Sequence, residues 1–185
     1  EARGIVFPLT CVKDYHENPS THENNLEGRG VPAGAMSAAH IIWDAGQRYS
    51  INPQVLIVLL QKEQGLVQDD WPWPIQYRSA TGYGCPDTAP CDAEYYGFYN
   101  QVQNAARQFR RYANLSNQYN FVPNQNNFIQ WNPQSSCGGS VVYIQNQATA
   151  SLYNYTPYQP NAAALANMYG SGDSCSAYGN RNFFA

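Results

Sequence analysis

The sequence predicts a mainly α-helical domain with one small β-hairpin element, stabilised by disulfides, and three observations carry that prediction. Apolar residues recur at helical spacing, most plainly Val55, Leu56, Leu59 and Leu60, and again Phe98, Val102, Ala105, Ala106, Phe109 and Tyr112. Two short β-prone runs, residues 128–131 and 140–144, flank a Cys137-Gly138-Gly139 turn. Five cysteines occur without the paired C-x-x-C spacing of a metal site. With 185 residues and no long break in composition, a single domain is expected: residues 35–185, with an irregular segment 1–34 packed on it.

Along the chain, Pro8, Pro19, Gly28, Gly30, Pro32 and Gly34 punctuate segment 1–34, and no helical period survives there. His16-Glu17 and His22-Glu23 lie six residues apart, which does not match H-E-x-x-H, so a solvated loop is expected rather than a metal site. Residues 35–49 read as a helix capped around Ser37, with Ala38, Ile41, Ile42 and Ala45 on one side; His40 there is expected to be structural. Asn52 then reads as an N-cap before Pro53 at the first helical position, and Gly65 as the stop of that helix.

Asp69-Asp70-Trp71-Pro72-Trp73-Pro74 is expected to be extended. Its tryptophans are open to two readings, the wall of a sugar cleft or a plug over the core. Residues 78–86 form a small-residue loop able to lie close to a ligand or to the preceding helix, and residues 98–112 are a clear helix. After the hairpin, residues 148–153 begin a helix that stops before Pro157. Residues 160–169 read as a last, alanine-rich helix ended by Gly170, and the tail through Phe184 as a loop.

Only 12% of residues are charged and the net charge is −3, so a phosphate-binding surface for nucleic acid is not expected. No run of 18 apolar residues occurs, so no membrane span is expected. A neutral polar surface rich in Tyr, Asn, Gln and Ser suits carbohydrate, and equally a generic exported protein. Cys85 and Cys91 bracket a turn-rich loop that a disulfide can close. Cys137 and Cys175 can tie the later segment together, which leaves Cys11 single, as a free thiol or paired outside this chain. Such cysteine usage points to an oxidising, extracellular compartment.

One residue departs from its pattern. The apolar stripe ending in Leu59 and Leu60 continues, at helical spacing, to Glu63. Apolar surroundings and the negative helix end favour the protonated form of a carboxyl, the form a general acid needs. The plain alternative is a helix-end glutamate turned into water. C-terminal to Glu63 come, in order, a Ser79-Ala80-Thr81-Gly82-Tyr83-Gly84 loop and a Leu152-Tyr153-Asn154-Tyr155 segment.

That ordered set resembles the lysozyme-like domain of soluble lytic transglycosylases and goose-type lysozymes, over residues 35–169, with (actino)bacterial cell-wall hydrolases as the nearest kin. The resemblance implies an α+β lysozyme-like fold. It also implies cleavage of the β-1,4 bond between N-acetylmuramic acid and N-acetylglucosamine, with Glu63 as general acid/base. It makes Ser79 and Gly82 loop residues near the glutamate and the substrate, Tyr153 a tyrosine near the carboxyl and Asn154 its neighbour. Beside these, Tyr83 of the same loop and, in the cleft-wall reading, Trp71 and Trp73 are candidate substrate contacts. Where that family has Gly-Leu-Met-Gln, this chain has Gly84-Cys85-Pro86-Asp87, and Thr156-Pro157 follow Tyr155 in place of a glycine-bearing end.

A hydrolase that inverts needs a second carboxylate about 6.5–9.5 Å from the first. Asp87 is the first candidate, with Asp69 or Asp70 behind it, and Asp92 and Glu94 further options. A lytic transglycosylase needs none. Two other classes remain open: a non-catalytic glycan-binding module, and a thiol enzyme using Cys11 with His40 or His22. The expected partner is peptidoglycan or a related polysaccharide, with no cofactor and a monomeric, secreted, wall-associated protein.

Overall fold

A computed structural model describes residues 10–19, 32–86 and 89–185. His22, Glu23 and Asp87, with most of segment 1–34, therefore lie outside the described residues. The chain divides into two compact units, Glu1–Arg107 and Gln108–Ala185. It is mainly helical with two small antiparallel sheets.

In the first unit β1 (His16–Glu17) pairs antiparallel with β2 (Met36–Ser37), His16 opposite Ser37. That corrects the expectation of a wholly irregular start: two residues borrow order from a partner twenty positions on, which no local period records. α1 (Ala38–Tyr49) follows, its first turn capped by Ser37, whose side chain accepts from the His40 amide. α2 (Pro53–Gln64) begins as its sequence dictates. Asn52 Oδ1 accepts the Gln54 amide at 3.0 Å, Pro53 occupies the first turn, and Gly65 closes the helix at φ 68°. Its stripe is buried at Leu56, Leu59 and Leu60 and half-buried at Val55. Leu56 and Leu60 belong to the main core cluster, with Ile41, Ile42, Tyr77, Phe98, Tyr99 and Val102.

Pro74 opens the one-turn helix α3 (Pro74–Arg78), so the prolines of this stretch precede a helix rather than forbid one. The Cys85–Cys91 disulfide closes the next loop. α4 (Phe98–Asn114) then begins, and the unit boundary falls within it in sequence.

In the second unit β3 (Gln125–Gln130) and β4 (Gly139–Ile144) form the expected hairpin, Phe128 opposite Val141. α5 (Gln147–Tyr155) follows, capped by Asn146, and the Cys137–Cys175 disulfide ties the hairpin's end to the tail. Two expectations fail here for one reason. The alanine-rich helix is only α6 (Ala162–Ala166), and the tail carries α7 (Gly179–Phe184). The buried Arg181 of α7 donates to the carbonyls of Ala164, Asn167 and Gly170 and stacks over Tyr178 at 4.5 Å. A guanidinium that collects these carbonyls ends α6 early and anchors a helix too short to stand alone.

Candidate functional site

Glu63 sits in the last turn of α2, its side chain 25% exposed. Lys62, almost wholly buried at 4%, brings its ammonium to 2.6 Å from Glu63 Oε1. Neighbours in sequence do not normally meet on a helix surface. Here an ammonium, and not the apolar surroundings expected from the stripe, lies against Glu63 Oε1, and no spacing in the sequence announced it.

The loop 79–84 is fastened beside that carboxylate from both ends. Gln64 donates its amide to the carbonyl of Ser79 at 3.2 Å and to its hydroxyl at 3.4 Å. From α4 the fully buried Gln101 threads the rest. Its Oε1 accepts from the Thr81 amide, the Thr81 hydroxyl and the Tyr83 amide, and its Nε2 donates to the carbonyls of Tyr83 and Tyr95. Gly82 is thereby pressed against the glutamate. A Cβ added there would stand 3.1 Å from Glu63 Oε2 and 3.3 Å from Cδ, and φ is +69°. Only glycine meets both demands without strain. Of the residues singled out from sequence, Glu63 and Gly82 are in direct apposition. Ser79 touches Gln64 rather than Glu63, and Tyr83 turns its ring edge-on to Tyr95.

Trp71 and Trp73 are 62% and 44% exposed, so neither plugs the core. Trp73 lines an open groove of about 370 Å³ with Pro74, Ile75 and Arg78. Asp69 spends both oxygens on this turn. Gln76 donates to Oδ2 and the Trp71 amide to Oδ1, each at 2.8 Å, and these bonds hold its carboxyl below the usual range. Gln76 also donates to the Gln64 carbonyl, capping α2. Asp92 accepts the amide of Glu94 as a turn cap.

Tyr153 and Asn154 belong to the second unit. The Tyr153 ring packs on Phe121, and burial raises its hydroxyl above the ordinary value. The Asn154 amide is a clamp on Phe121, accepting its N–H at 3.0 Å and donating to its carbonyl at 2.8 Å.

Sequence reasoning missed Lys62, Gln101 and Glu17. Glu17 accepts the Tyr99 amide at the start of α4, and its burial lifts the carboxyl above the usual range. In sequence it looked like half of a histidine–glutamate pair. Among the described residues, no group of three or more His, Cys, Asp or Glu gathers as a metal site requires, and no helix is long and apolar enough to cross a membrane. Cys11 is the free thiol among them, 3.7 Å from the Asp70 carbonyl.

Residues 14–169, most of the chain, match the family described as LasA, N-terminal domain. No curated protein and no solved structure matches the chain.

Proposed function

The chain belongs to the LasA N-terminal domain family, which points to a secreted, cell-wall-related protein, and we propose, from the site's geometry and not from the family, that it is a lysozyme-like peptidoglycan glycosidase with Glu63 as its general acid/base. LasA is a secreted, peptidoglycan-related protease, and two disulfides are compatible with the same compartment for this chain. The observation that carries the reading is the apposition of Glu63 and Gly82. The carboxylate is part-exposed, and glycine at 82 admits no side chain between it and the loop backbone.

In this reading Glu63 protonates the glycosidic oxygen between N-acetylmuramic acid and N-acetylglucosamine. Lys62 fixes the carboxylate's position, and the exposed Trp71 and Trp73 flank the sugar chain. Asp69 has both oxygens bonded within its own turn, so hydrolysis would draw its second carboxylate from another residue, whereas an internal 1,6-anhydro closure needs none.

The Lys62–Glu63 pair favours one other reading. A glutamate whose charge is used to satisfy a nearly buried ammonium has a structural purpose without catalysis, and the domain would then be a glycan-binding module. Digestion of purified peptidoglycan by the wild type and Glu63→Gln separates them. The catalytic reading expects the variant to release soluble muropeptides about 10²–10⁴-fold more slowly. Equal release by both proteins removes Glu63 from the chemistry. Sedimentation of both with the wall and no release by either establishes the binding module. Products one water lighter than reducing-end muropeptides identify the transglycosylase.

A further inference from the structure

Alternation along the hairpin puts Asn126, Phe128 and Gln130 on one face of β3, and the register sets Tyr143, Val141 and Gly139 of β4 opposite them in turn. Phe128 and Val141 are each 61% exposed and Tyr143 is 57%. Single apolar side chains in water need no explanation, but a contiguous set on one sheet face marks an interaction surface.

The other face of the hairpin is anchored. Ile129 and Ile144 are fully buried. Gln159 donates to the carbonyls of Ile129 and Ser140 and to the Ser140 hydroxyl. Asn127 donates to the carbonyls of Val122 and Gln125 and accepts the Val122 amide. On the exposed face the Phe128 ring leans over Gly139, where an added Cβ would come within 2.9 Å of its Cζ. The rings are therefore presented by a sheet already ordered, which lowers the entropic cost of binding.

Charge identifies the occupant. From Tyr112 to Gly172 the sequence contains no Asp, Glu, Lys, Arg or His. The segment that builds this face therefore supplies no charge for a phosphate backbone or a charged peptide. It offers aromatic faces bordered by the carboxamides of Asn126 and Gln130, which suit the C–H faces, hydroxyls and acetamido groups of an uncharged sugar chain. Three side chains also fall short of the roughly 800 Å² per partner that a stable protein interface buries.

We propose that this face, centred on Phe128, Val141 and Tyr143, binds an uncharged N-acetylglucosamine-type glycan strand. The site does not depend on Glu63 and stands whether or not that residue is catalytic.

The test is calorimetric titration of the full chain with chitohexaose, a neutral N-acetylglucosamine oligomer, in the wild type and in hairpin-face variants. Expected is a binding isotherm whose affinity changes less than about twofold between roughly 50 and 500 mM salt, as uncharged contacts require. Combined Phe128→Ala and Tyr143→Ala should weaken binding at least tenfold with the melting temperature kept, and Phe128→Tyr should retain it. Absence of chitohexaose binding by the wild type overturns the proposal, as does wild-type affinity in the double alanine variant. A wild-type dimer in sedimentation that the double variant dissolves also overturns it, because the face then holds a second copy. Failure of Glu63→Gln to impair lysis bears on the catalytic reading alone.

Discussion

Glu17 carries a carboxylate to the first turn of α4. Its Oε2 accepts the Tyr99 amide at 3.0 Å, and a Cβ on Gly97 would stand 2.9 Å from Oε1. A helix N-terminus favours an anion, and the amides of Tyr99 and Phe98 pull the carboxyl's pKa down, yet burial outweighs them and leaves it above the ordinary 4.5. A group whose pKa is raised on folding contributes its stability below the unfolded value and loses that contribution as pH climbs through the folded one. Glu17's contribution should therefore fall as the pH rises from 4.5 into the range just above it. Glu17→Gln keeps an acceptor for the Tyr99 amide and has no proton to lose. Its melting temperature relative to wild type should rise across that window and level off at neutral pH. Thermal melts from acid to neutral pH check this, and a difference that stays constant would show that Glu17 titrates alike in both states. Tyr15 and Tyr77, stacked at 3.9 Å, are also displaced upward by burial, Tyr15 to about 12, and stay neutral throughout that range.

At the scale of elements, α4 explains both what the sequence discloses and what it hides. Its apolar residues follow the helical period, so the helix is legible within two residues at its far end. The helix also buries Asn100, Gln101, Gln103 and Asn104, which a binary pattern places in water. Gln103 and Gln101 find partners far along the chain, Asp44 for the one and the 81–83 loop for the other, so no local signal exists for them. The caps of α1 and α2 were legible because each is written within four residues. α7 was not, because the carbonyls gathered by Arg181 hold it. The apposition of Glu63 and Gly82 was legible only as an ordered resemblance, and the Lys62 contact not at all. Gln101 is thus the element's link to the site. Gln101→Leu keeps the volume and strands the buried amide of Thr81, the amide of Tyr83 and two carbonyls, each at a cost of about 1–3 kcal/mol. Hydrogen exchange at the Thr81 and Tyr83 amides should accelerate more than at the α2 amides Leu59 and Leu60. Uniform acceleration would mean that Gln101 supports the whole unit rather than the loop.

For the whole molecule, the two units draw on different sources of stability. The first has a broad core joining α1, α2 and the start of α4 through Ile41, Leu56, Leu60, Phe98 and Val102. The second has a small cluster, Phe121, Ile129, Ile144 and Ala150, and a cluster of that size gains most from a covalent brace. Its disulfide, Cys137–Cys175, spans 38 residues, whereas Cys85–Cys91 spans 6. Restricting the unfolded chain contributes about 4 kcal/mol for the longer loop and about 2 kcal/mol for the shorter, by loop-closure entropy. Serine replacement of both cysteines in each pair should therefore cost about twice as much at 137 and 175 as at 85 and 91, read as free energies of unfolding in denaturant. In the first case, protection from hydrogen exchange should fall at Ile129 and Ile144 while Leu56 and Leu60 stay protected. A larger loss from the 85–91 pair would mean that native contacts of the short loop, and not chain entropy, set the contribution of these bridges.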